Sequence, residues 1–163
     1  GAYEYTKKIA KNGNITRYHF AQFLIEKKYA RNLTDVFKRF LVKNKPGYVS
    51  TNWPNLDETI NLINIAGGVA VIAHPLRYKI TATKLRKLIK EFKNCGGKAI
   101  EVITSHNILK EVAIASDYAK KYNLAASIGS DFHNEKTSWN KLGGLPLLPD
   151  NLLPVWKLWK DNN

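Results

Sequence analysis

Three short apolar runs constrain the fold more than anything else in this chain: Val69–Ala73, Ala99–Ile103 and Leu124–Gly129. Each is apolar almost throughout instead of alternating with polar residues, which predicts strands buried on both faces. Between them lie helical stripes, Leu85, Leu88, Ile89 and Phe92 in one interval and Ile108, Val112, Ala115, Ala119 and Tyr122 in the next. A further stripe, Leu56, Ile60 and Ile63, precedes the first run. Two of these helices stop at glycine pairs, Gly67-Gly68 and Gly96-Gly97, the usual C-terminal punctuation. Helix–strand units recurring about every 28 residues require parallel pairing with helical crossovers, so the expected class is α/β.

Residues 1–50 do not share this alternation. A helix is expected from near Thr16, with Tyr18, Phe20, Phe23 and Leu24 as its apolar side. Another begins at Asn32-Leu33-Thr34-Asp35, with Thr34 as N-cap and Asp35 favourable in the first turn. Lys43 to Pro54 is a connector rich in turn formers. The chain is therefore expected to divide into a helical segment, 1–50, and an α/β part, 51–163. In the tail, Val155, Trp156, Leu158 and Trp159 are expected to cap the core.

With 163 residues the chain can bury a core, and no apolar run approaches a membrane span. The single cysteine, Cys95, excludes an internal disulfide framework and suits a reducing cytoplasm. The formal charge is +13, carried by 21 Lys and 5 Arg and accompanied by 16 Asn. Such a composition has two sources, an AT-rich coding bias or an anionic partner such as nucleic acid or phosphate.

Position along the strands decides where chemistry belongs. His74 stands at the C-terminal end of the first apolar run, Ser105 and His106 follow the second, and Asp131 and His133 follow the third. In parallel α/β folds this is the edge where loops converge on rigid strand ends. Asp131 and His133, two apart in extended chain, point the same way. Two imidazoles and a carboxylate suit Zn²⁺, Mn²⁺ or Fe²⁺.

Those residues also carry a resemblance. Val71-Ile72-Ala73-His74-Pro75 with Arg77-Tyr78, and Gly129-Ser130-Asp131-Phe132-His133, resemble the later metal-binding motifs of the PHP (polymerase and histidinol phosphatase) family of metal-dependent phosphoesterases. Ile15-Thr16-Arg17-Tyr18-His19-Phe20-Ala21, Lys45-Pro46-Gly47-Tyr48-Val49 and the Trp139–Pro146 segment resemble its bacterial nucleotide and RNA branch, which includes 3′,5′-nucleoside bisphosphate phosphatases and 5′→3′ exoribonucleases. The resemblance implies the C-terminal portion of a distorted (β/α)₇ barrel with a helical insertion. It implies that His74, Asp131 and His133 help hold two or three divalent metals, Mn²⁺ first, with Zn²⁺, Fe²⁺ or Mg²⁺ as substitutes. Those ions would activate a water for attack on a phosphate ester of a nucleotide or an RNA 5′ end. Arg17 and His19 would bind substrate phosphate from the helical segment, and Arg77 from the loop after His74. Leu76 stands where the branch often has Gly, narrowing the approach to Arg77.

The family's early motifs are absent, so the resemblance also implies a missing N-terminal half as the chain's partner, and inactivity without it. Two other readings stay open: a non-catalytic basic module binding RNA or phosphate, and the proofreading-type PHP domain of DNA polymerases. The first would bind in a salt-dependent, chelator-insensitive way. Glu101 stands between a supporting role at the site and a simple pairing with lysine.

Overall fold

The computed structural model describes residues 1–50, 52–105, 108–132 and 142–159. It divides into two compact units, Gly1–Trp53 and Pro54–Asn163.

The first unit is helical: α1 (Ala2–Ala10), α2 (Arg17–Glu26) and α3 (Leu33–Val36), the last continuing into a π-helical turn, Phe37–Leu41. Helix α2 starts at Thr16, as its sequence predicts. The capping residue at its third position is a histidine, whose Nδ1 accepts from the Thr16 backbone N–H at 3.0 Å. The cap of α3 differs from expectation. Asn32, not Thr34, takes the N-cap position, its Oδ1 accepting from the Asp35 N–H at 2.9 Å. Both residue types cap well; Asn32 wins because Asp35 turns back to accept from the Arg31 N–H at 3.1 Å, closing the entry turn one step earlier. Ala21, Ala30, Val36 and Leu41 form the small core of this unit. Tyr5 of α1 stacks near Phe23 of α2, and its hydroxyl donates to Glu26.

The second unit holds α4 (Leu56–Ile65), α5 (Ala82–Asn94) and α6 (Leu109–Lys121), alternating with β1 (Val71–Ile72), β2 (Ala99–Thr104) and β3 (Ala125–Gly129). The strands are parallel in the order β1-β2-β3, with Ile72 opposite Ile100 and Ile100 opposite Ala126. Asn55 caps α4 with Glu58 in a capping box, and Thr81 caps α5. Ile60, Ile89, Phe92, Ile100, Val102 and Ile103 pack into one core, and Leu76 packs against it.

Two expectations need correction here. The run Val69–Ala73 forms only a two-residue strand, and it is not buried on both faces: Ala70 and Ile72 are buried, while Val71 and Ala73 are exposed. Ala70 and Ile72 pack into the core with Ile60 of α4 and Ile89 of α5, and β1 pairs with β2 alone among the described residues. In the tail, a 3₁₀ turn at Val155–Leu158 buries Val155 against Ala99 and Ala125, with Leu158 beside it. Trp156 and Trp159 are instead turned out to solvent, 44 % and 61 % exposed. The tail also flanks β3, where the Ala126 N–H donates to the Leu153 carbonyl at 2.7 Å.

Candidate active site

The C-terminal ends of β2 and β3 lie side by side, Thr104 opposite Gly129, whereas β1 pairs only with the first two residues of β2, which brings His74 alongside the middle of that strand. His74 follows β1 by two residues, Ser105 follows β2 directly, and Asp131 follows β3 by two.

His74 begins a short 3₁₀ turn, Pro75–Arg77, and its backbone is left-handed, with φ 32° and ψ 57°. Asp131 is left-handed too, at φ 55°. Non-glycine residues adopt this region uncommonly, His and Asp more often than most, and Lys11, Lys28, Asn44 and Asn123 do so elsewhere in the chain. For His74 the restraint is Glu101, whose Oε2 accepts the His74 backbone N–H at 2.6 Å. Glu101 is the single carboxylate of β2, half-buried in a strand whose other residues are buried. A bulge between Glu101 and Ile103 shifts the register there, and Gly129 on β3 leaves the space the carboxylate needs. A Cβ at Gly129 would stand 2.6 Å from Glu101 Oε1. Burial raises the Glu101 pKa, opposed by the His74 N–H bond and the charge of Arg77.

Arg77 leaves the 3₁₀ turn and bridges the rim. Its guanidinium donates to Asp131 Oδ2 at 2.6 Å and to the Ser105 carbonyl at 2.9 Å. Ser105 in turn donates to the Ser130 carbonyl at 2.5 Å, tying the loop after β2 to the loop after β3. The His74 ring meets Tyr78 edge-on at 5.8 Å. Beneath these residues lies a small cavity of about 110 Å³ that reaches His74, Glu101 and Ser105.

The structure therefore brings His74, Arg77 and Asp131 onto one rim, around Glu101. His133 and His106 lie outside the described residues. Arg17 and His19 belong to the first unit, Arg17 exposed at the start of α2 and His19 engaged in its cap. The sequence names no partner for Glu101, yet it carries a signal: one acidic residue in an otherwise apolar strand needs a donor, and here it is the His74 N–H that follows β1.

A divalent cation fits the donors present. The Nδ1 of His74 is buried and has no hydrogen-bond partner among the described residues, a state that a buried imidazole nitrogen seldom keeps. Asp131 offers a hard oxygen on the same rim, completing a mixed nitrogen–oxygen pair. Among the described residues no group of three His, Cys, Asp or Glu is gathered closely enough to hold a metal by itself.

Comparison with known proteins gives this geometry a context. No family model matches the chain. It is 39 % identical over 160 residues to the 5′-3′ exoribonuclease Rnm of Escherichia coli, covering 98 % of this chain and 54 % of that protein. It is 37 % identical over 143 residues to a 3′,5′-nucleoside bisphosphate phosphatase of Chromobacterium violaceum, covering 88 % of this chain and 50 % of the relative. Among solved structures, an amidohydrolase from Chromobacterium violaceum with bound sulfate superposes with a TM-score of 0.80 at 34 % identity, over 98 % of this chain and 55 % of that one. A putative metal-dependent phosphoesterase from Bifidobacterium adolescentis shares the fold at TM-score 0.69 and 24 % identity, over 96 % and 54 %. The chain spans about half the length of each, and it is thus a homologue, over that half, of bacterial 5′-3′ exoribonucleases and a 3′,5′-nucleoside bisphosphate phosphatase.

Proposed function

We propose that this chain belongs to a PHP-type phosphoesterase that hydrolyses phosphate esters of nucleotides or of RNA 5′ ends. Its three parallel strands are then part of a distorted (β/α)₇ barrel, residues 1–50 an inserted helical segment, and the remaining barrel strands and metal ligands lie in the half of the relatives that the chain does not span. The observation that carries the reading is the rim itself, where the His74 Nδ1, without a partner among the described residues, and the Arg77-bound Asp131 carboxylate follow strands of one sheet in a homologue of nucleases and nucleotidases.

His74 and Asp131, with His133, would hold the metal, Mn²⁺ in the first instance. When bound, divalent cations supply charge neutralisation at phosphate oxygens and a lowered pKa for water. The protein's own part is positioning. Glu101 fixes the His74 backbone and so the direction of its imidazole. Arg77, anchored at the Ser105 carbonyl, presents a guanidinium fork that matches two phosphate oxygens, beside the carboxylate it now pairs with. Arg17 and His19 serve phosphate from the helical unit. A free thiol at Cys95 fits a reducing cytoplasm.

The test is made on the protein comprising this chain and the remaining half. With Mn²⁺ it should release phosphate from 3′,5′-bisphosphonucleotides or nucleotides from 5′-ended RNA, and Asp131→Asn should lower that turnover about 100-fold or more. An Asp131→Asn protein with the parent rate would overturn the assignment.

A further inference from the structure

The charge of the chain is not spread evenly. Residues 1–53 carry eleven Lys and Arg against three Asp and Glu, an excess of eight, whereas 54–163 carry fifteen against ten. A coding bias toward lysine acts on both units alike; an excess concentrated in one points to a partner of that unit. The same 53 residues hold ten of the chain's eighteen aromatic residues. Basic residues interleaved with aromatics are the composition of surfaces that bind unpaired nucleic acid, where phosphates meet cations and bases stack on rings.

In the first unit this composition is organised around a cleft of about 720 Å³, within the size range of small-ligand sites. Phe20, Phe40, Tyr48, Trp53 and Arg17 are among the residues that line it. Tyr48 is 38 % exposed and Trp53 83 %. The loop after the π-helical turn folds back so that the Gly47 N–H donates to the Phe40 carbonyl at 2.8 Å, and the next residue, Tyr48, joins the lining of the cleft. Arg17 makes no ion pair among the described residues and lies 5.9 Å from the Phe37 ring. Exposed aromatic rings and a guanidinium without an ion pair among the described residues match a nucleobase with its attached phosphate.

We propose that this cleft is a base-stacking subsite, taking an unstacked nucleobase against Tyr48 and Trp53 while Arg17 meets the adjoining phosphate. The inference rests on the nucleotide reading above and deepens it: the helical unit recognises the base, not only the charge. It needs no turnover, so it can fail while the hydrolase reading stands.

The test measures binding to the 163-residue chain, by tryptophan fluorescence and calorimetry, of 5′-phosphorylated hexa-adenylate, of the same backbone without bases, and of AMP. Hexa-adenylate should bind the parent chain roughly tenfold more tightly than the abasic hexamer, the usual effect of one stacked base. Tyr48→Ala or Trp53→Ala should erase that difference and leave abasic binding unchanged, while Tyr48→Phe keeps it. AMP binding that responds to Tyr48→Ala places a mononucleotide in the cleft; a response confined to hexa-adenylate places RNA there. Equal affinity for hexa-adenylate and the abasic hexamer, or no binding of either, would overturn the subsite. Absence of turnover by the complete protein would instead overturn the hydrolase reading. Both substituted positions are exposed, and an unchanged thermal melt certifies folding.

Discussion

Arg77 is held by two contacts that differ in kind. Its bond to the Ser105 carbonyl anchors it, while its pairing with Asp131 is partly exposed, with side chains 39 % and 30 % accessible. Such pairs contribute less than about 1 kcal/mol. Arg77→Ala should therefore leave the melting transition nearly in place while raising KM for phosphate esters in the complete protein about tenfold or more, and Arg77→Lys should recover only part of it because a single ammonium cannot fork. A large stability loss with unchanged KM would assign Arg77 to structure. Asp35 gives a pH-dependent case in the other unit. The Arg31 N–H bond, and secondarily Arg39, hold its carboxyl below the ordinary value of 3.8. A depressed folded pKa contributes stability that is present above the unfolded value and lost as pH falls through the folded one. Helical signal from residues 1–53 should thus weaken below about pH 4, and Asp35→Asn should flatten that acid limb. Circular dichroism against pH checks both.

At the scale of elements, the pattern of apolar residues was legible where it is local. Helices α4, α5 and α6 and strands β2 and β3 fall where the stripes and runs put them, and the parallel pairing follows from the crossovers. What was not legible depends on distant neighbours. Nothing in Val69–Ala73 states whether both faces will be covered, since an apolar run reports hydrophobicity and not the layer above it. The choice of Asn32 over Thr34 as cap turned on Asp35 reaching the Arg31 N–H, a contact between side chain and backbone that periodicity does not contain. The π-helical turn Phe37–Leu41 has no sequence signature of its own, yet it sets the return of the loop. That return leaves little room at Gly47, where a Cβ would sit 3.0 Å from both Leu41 Cδ2 and the Phe40 carbonyl oxygen. Gly47→Ala should destabilise the first unit by about 1 to 3 kcal/mol, the usual cost of overpacking, read from urea melts.

For the molecule as a whole, the candidate site was readable in outline because strand ends in a parallel sheet share one edge. His74 and Asp131 could be placed there from the order of elements alone, whereas Arg77 was singled out only by the resemblance to the PHP family. The clamp by Glu101 could not, because it depends on a bulge in β2 and on the bare Cα of Gly129. Described residues include no helix long and apolar enough to cross a membrane. The left-handed backbone at His74 has a consequence for engineering. Holding a non-glycine residue at φ 32° costs on the order of 1 to 3 kcal/mol, and the bond from the His74 N–H to Glu101 holds it there. Asparagine accepts that conformation more readily. His74→Asn should therefore melt at or above the temperature of the parent chain while forfeiting the imidazole. A screen for thermal robustness that ignores activity would select it, at the cost of the imidazole that the proposed metal site requires.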